Sequence, residues 1–146
     1  MLNTAMLHLP EIGQFALILA FIMAVLQVIV PLFGVNRGQL WLMGYARPLA
    51  VGQALFLVIS LVLLATSFVM DDFSVAYVAA NSNSLLPTPY KISAVWGAHE
   101  GSLLLWVTML GLWGVAVALL TAFYMMRCVL VAFDGDSRSD ATNDAK

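Results

Sequence analysis

Charge is scarce in this 146-residue sequence: Asp, Glu, Lys and Arg make up only 10% of it, against about 25% in an ordinary soluble domain. The missing charge is replaced by apolar residues, at 62% and a mean hydropathy of +0.96. A globule of this size leaves about 30% of its unfolded surface exposed, and most of that surface would be greasy. A water-soluble monomer is therefore excluded, and so are an acidic disordered chain and a nucleic-acid binder. Cysteine is almost absent. Cys128 stands alone, so no intrachain disulfide forms, and no C-x-x-C-H string is present to attach haem covalently. The chain is not itself a c-type cytochrome. Histidine is equally sparse, with His8 and His99 only, too few for a self-contained histidine metal site.

What the sequence does have is long uncharged runs. Residues 12–36, 48–70 and 101–126 contain no Asp, Glu, Lys or Arg. A bilayer core of about 30 Å needs about 20 apolar residues as helix, so each run holds one crossing. The spans are placed at Gly13–Phe33, Leu49–Met70 and Ser102–Met126. Backbone in lipid must satisfy its own hydrogen bonds, as helix or closed barrel, and continuous apolar runs lack the alternation of barrel strands. The expected fold is an all-α integral membrane protein with three transmembrane helices. Residues 1–126 form the membrane region, with an outside loop at 71–93. Residues 127–146 form a polar cytoplasmic tail, which from Asp134 reads as disordered.

Orientation follows from the basic residues. Arg37, Arg47, Arg127 and Arg138 fall on one side, with Lys146 at the edge of what the rule counts, and Lys91 alone on the other. The N-terminus is therefore expected outside and the C-terminus in the cytoplasm. The first basic residue, Arg37, follows the first apolar run, unlike the positive start of a cleavable signal. Trp41 and Tyr45 beside Arg47 suit the membrane interface. Pro31 is expected to bend or end the first helix.

The segment between the second and third spans holds the chemistry. Phe73–Val78 is β-prone, and Pro87-Thr88-Pro89 argues against a regular helix there. Ser93 can N-cap a helix running through Ala94–Trp106. On such a helix Trp96, His99, Leu103, Trp106, Leu110 and Trp113 share a face, and Gly97 and Gly101 form a G-x-x-x-G. An aromatic stripe with one imidazole could hold a flat ligand such as haem or a quinone; it could equally be an interface anchor and packing seam. His99 and Glu100 are the sharpest ionisable candidates, because charge at a membrane boundary is costly. They point about 100° apart on a helix and lack the second histidine of H-E-x-x-H.

The strings Asp72–Pro87, Tyr90-Lys91 and Trp96-Gly97-Ala98-His99-Glu100-Gly101-Ser102-Leu103-Leu104-Leu105-Trp106 are idiosyncratic. They resemble the N-terminal region of the CcmF/NrfE family, the haem lyase component of bacterial cytochrome c maturation, and Pro10-Glu11-Ile12-Gly13 also fits. The resemblance covers about Pro10 to Val117. It implies a multi-pass protein of the bacterial inner membrane, bathed in membrane lipid. The implied partners are other maturation proteins, a haem chaperone on the periplasmic side and apocytochrome c. Haem is the implied cofactor, and Trp96, His99 and Trp106 are the candidates here. The family's tryptophan-rich haem segment and haem-ligating histidines lie further downstream than this chain reaches, so no ligand role is carried onto His99. After Val117 the chain departs from the pattern, and an N-terminal fragment, inactive alone, is expected. Two other classes compete. A proton- or ion-handling subunit of a respiratory complex would use Lys91, His99 and Glu100 as relay groups. A small structural membrane protein would use none of them.

Overall fold

A computed structural model describes residues 9–133. Six helices follow one another: α1 Leu9–Arg37, α2 Leu40–Met43, α3 Ala46–Val69, α4 Ala76–Asn81, α5 Thr88–Ala94 and α6 His99–Phe133. No strand occurs among the described residues. Three stretches are long and apolar enough to cross a membrane: Leu9–Arg37, Trp41–Val69 and His99–Phe133. At 1.5 Å per residue the 29 residues of α1 span about 44 Å, more than a hydrocarbon core of about 30 Å. Pro31 lies inside α1 and does not end it; its ring removes one helical hydrogen bond, and neighbouring turns carry the helix on.

The α1–α3 pair is antiparallel. A Cβ on Gly13 would meet Leu63 and one on Gly52 would meet Met23, while one on Gly34 would meet Leu42 of α2. Small residues form the seam, with Ala16, Ala20, Ala50 and Ala54 all buried. Within lipid there is no water-driven force between helices, so close backbone approach along small side chains supplies the packing. The turn at the foot of the pair is a Schellman motif. Gly38 takes a φ of +66°, its N–H donates to Val35 O, and Gln39 N–H donates to Gly34 O at 2.9 Å. Two orphan carbonyls of the helix end are thereby satisfied. Trp41 and Tyr45 meet edge to face nearby, ring centroids 5.9 Å apart.

Contacts divide the described residues into two units after Val115. In the first unit, α6 touches α3 where Gly111 lies against Leu57 and Thr108 is buried. Only 6% of the most apolar window of α6 is buried. In the second unit the described residues are the last part of α6, which runs past Met126 to Phe133 with Tyr124 and Cys128 exposed. The tail from Asp134 lies outside the described residues.

Between α3 and α6 the chain departs from the sequence expectation. Residues 76–81, within and beyond the β-prone stretch, are helix α4. The Pro87–Pro89 stretch opens a helix instead of preventing one, because Pro89 sits in the first turn of α5, where the missing N–H would have no partner anyway. Ser93 does not cap a following helix; its hydroxyl donates back to Pro89 O within α5. The third long helix starts only at His99, after a break at Val95–Ala98. Gly97 and Gly101 therefore do not share a helix, and Trp96 drops out of the stripe.

The small-residue seam makes a direct prediction. Ala20→Leu should destabilise the α1–α3 pair by about 1–3 kcal/mol through overpacking. Thermal loss of helical circular dichroism in detergent measures it, with the exposed Val28→Leu as an unchanged control.

Candidate functional site

The second long helix ends with another Schellman motif, built on an acid. Asp71 takes a φ of 56°, its N–H donates to Phe68 O, and Asp72 N–H donates to Ser67 O at 3.0 Å. Asp is among the few residues that tolerate this left-handed backbone. The turn aims the Asp71 carboxylate back over the end of the helix, where Lys91 Nζ meets Oδ2 at 2.5 Å. Lys91 comes from α5, which packs against α3, and it is only 6% exposed. The second carboxylate oxygen, Oδ1, is buried and has no donor among the described residues.

Around this pair the chain builds a small core of Phe68, Val78 and Val95, all essentially without exposure. Phe68 and Tyr77 meet edge to face, centroids 5.4 Å apart and planes at 70°, a favoured aromatic geometry. The Tyr77 hydroxyl donates to Val95 O at 3.0 Å, with Ala98 O at the outer limit of 3.5 Å. It also accepts the N–H of Gly101 at 3.2 Å. Gly101 lies in the first turn of α6, where N–H groups have no helical acceptor. A remote tyrosine therefore caps the third long helix, and Ala98 O accepts its first internal bond from Ser102 N–H. A Cβ on Gly101 would collide with Val95 O and come within 2.6 Å of the Tyr77 hydroxyl. Only glycine allows this approach.

Beside the tyrosine lies a cleft of about 260 Å³. Pro10, Gly13 and Leu17 of α1 form one wall, and Leu63, Leu64 and Ser60 of α3 another. Ser67, Val75, Tyr77, Glu100 and Leu104 are also among its lining residues. The start of α1, the end of α3 and the start of α6 thus gather at one end of the first unit, under α4 and α5.

The motif residues divide sharply between inside and outside. Gly101 is buried and Ala98 half-buried, whereas Gly97, His99 and Glu100 are exposed. Trp96 is 47% and Trp106 62% exposed. His99, Leu103, Trp106, Leu110 and Trp113 keep their common face on α6 and point away from the rest of the unit. The His99 side chain makes no hydrogen bond among the described residues, and none of Trp96, His99 and Trp106 lines the cleft. Among the described residues, no three His, Cys, Asp or Glu side chains converge on a metal-sized site. Tyr77 and Asp71 went unrecognised as functional positions in the sequence. A signal for the pair was present, since a lone lysine beside a membrane end needs an acid within reach.

Breaking a buried ion pair from one side leaves an uncompensated charge, at a cost of about 3–5 kcal/mol. Lys91 is the more deeply buried partner, with a side chain 8% exposed against 27% for Asp71. Asp71→Asn, which keeps the backbone turn, should therefore destabilise more than Lys91→Met. The double variant should recover more than half of the larger loss. Thermal unfolding of all three in one detergent checks the cycle, and additive losses would show the two groups uncoupled.

Comparison with known proteins gives the family. The chain is 56% identical over 111 residues to the cytochrome c-type biogenesis protein CcmF of Pseudomonas aeruginosa, covering 76% of this chain. It is 47% identical over 110 residues to NrfE of Haemophilus influenzae, covering 75%, and 49% identical over 110 residues to CycK of Bradyrhizobium diazoefficiens, also covering 75%. In each case the chain spans 17% of the relative's own length. No protein-family model matches, and no solved structure does. Over the matched segment, with its three membrane-capable helices, the chain belongs to the CcmF/NrfE/CycK family of cytochrome c-type biogenesis proteins.

Proposed function

We propose that this chain supplies a membrane scaffold and an extracytoplasmic cap to a haem lyase of the bacterial inner membrane, serving the attachment of haem to apocytochrome c. The observation that carries the reading is 56% identity over 111 residues to a CcmF protein. The N-terminus and the α4–α5 cap lie on the periplasmic side and the end of α6 in the cytoplasm, an orientation supported by the placement of the arginines. The haem chaperone and apocytochrome c are met on the same side as the cap, and other maturation proteins are met within the membrane.

Haem is the cargo of this process. Trp96, His99 and Trp106 are exposed and none of them lines the cleft beside Tyr77, so no residue of this chain is assigned as its ligand. Trp106 and Trp113 present an aromatic face, with the imidazole of His99 at its outer end, to the rest of the assembly. The cap contributes rigidity: Lys91 is committed to Asp71, and no hydrogen-bonded relay links it to His99 or Glu100 among the described residues.

The test is a chimera in which this segment replaces the matching 111 residues of the Pseudomonas aeruginosa relative. In a strain lacking the native protein, the chimera should restore haem-stained c-type cytochromes, whereas the 146-residue chain alone should not. Failure of a stably inserted chimera, or restoration by the short chain alone, would contradict the proposal.

A further inference from the structure

The cleft beside Tyr77 belongs to none of the chemistry described so far. Its volume of about 260 Å³ exceeds the roughly 150 Å³ of an apolar cavity that takes up benzene. Carbon-rich side chains of α1, α3 and α6 line most of it. The polar groups along it are few, and two of them are already engaged: the Ser67 hydroxyl donates to Leu63 O, and the Tyr77 hydroxyl is used on both its donor and acceptor sides.

Among the described residues, the single charge lining the cleft is the carboxylate of Glu100, which has no hydrogen-bond or ion-pair partner there. The one lysine of this end, Lys91, is buried and neutralised by Asp71, so it offers nothing to an anionic headgroup. A full negative charge outweighs the half-charge of opposite sign at the start of α6. The cleft also sits where three membrane-capable helices end, the level of lipid headgroups.

We propose that this cleft seats one hydrocarbon chain of a phospholipid whose ammonium headgroup pairs with Glu100; phosphatidylethanolamine has the required chemistry. Its primary ammonium donates hydrogen bonds to the carboxylate, which a quaternary ammonium cannot do, and a purely anionic headgroup is repelled. The lipid fills the gap between α1 and α6, which share little direct contact, and thereby supports the lightly packed third helix.

Native mass spectrometry of the 146-residue chain, released from micelles with equal amounts of phosphatidylethanolamine, phosphatidylcholine and phosphatidylglycerol, tests this. The wild-type chain should retain phosphatidylethanolamine about fivefold over phosphatidylglycerol, the ratio an exposed ion pair provides. Glu100→Gln should abolish the preference while keeping lipid bound. Leu64→Trp should fill the cleft and lose the retained lipid. If that variant loses helical circular dichroism, Leu17→Trp fills the same space from the exposed rim. No retained lipid in the wild type, equal retention of the two headgroups, or an unchanged preference in Glu100→Gln would each overturn the proposal.

Discussion

An ammonium group shut away from water must have its counter-ion beside it, because the effective penalty for burying an ion is several kcal/mol. Lys91 meets that demand only by lying on the Asp71 turn, and the rest of the cap follows from this placement. α5 must sit over the end of α3, which fixes Val95 against Phe68 and Val78. The Val95–Ala98 linker then lies where Tyr77 can reach it. The same hydroxyl holds Gly101 N–H and so sets where the third long helix begins. One ion pair thus orients a loop, a linker and the first turn of a membrane helix.

The long helices were legible because charge is too costly to place in lipid, so gaps between charged residues mark the spans directly. At the foot of the α1–α3 pair, α1 runs on to Arg37, and Gly38 takes the left-handed backbone that glycine permits. The cap was not legible. Its helices are too short to show a period, and burial of Val78 outweighs the strand preference of Phe73–Val78. Pro87–Pro89 misled because proline forbids the middle of a helix and suits its start. Ser93 offered a local cap, yet the real one arrives from Tyr77, 24 residues away from Gly101; nothing in a linear pattern marks such a partner. His99 and Glu100 stood out as ionisable residues, but their exposure is set by the break before α6, which tertiary contacts decide.

The two faces of α6 divide the labour of the molecule. Gly101, Thr108 and Gly111 face inward, where small or self-bonded side chains permit contact: Thr108 returns its hydroxyl to Leu104 O at 2.7 Å. Trp106, Leu110 and Trp113 face outward, as does His99 at their head. A helix so lightly supported by its own unit depends on its anchored start. The stretch from Trp96 to Trp106 is accordingly a joint first, with Gly101 held by Tyr77 at its centre, and an aromatic face second.

The central claim is that the cap folds as one unit, held by Lys91 and Asp71 and ending at the Gly101 amide. Amide hydrogen exchange in lipid nanodiscs tests it most directly, comparing the wild type with Lys91→Met. The account predicts slow exchange at Ser82, Lys91 and Gly101, whose amides donate to Val78 O, Pro87 O and the Tyr77 hydroxyl, and simultaneous loss of protection at all three in the variant. Exchange at unprotected rates in the wild type, or loss at Lys91 alone, would contradict it.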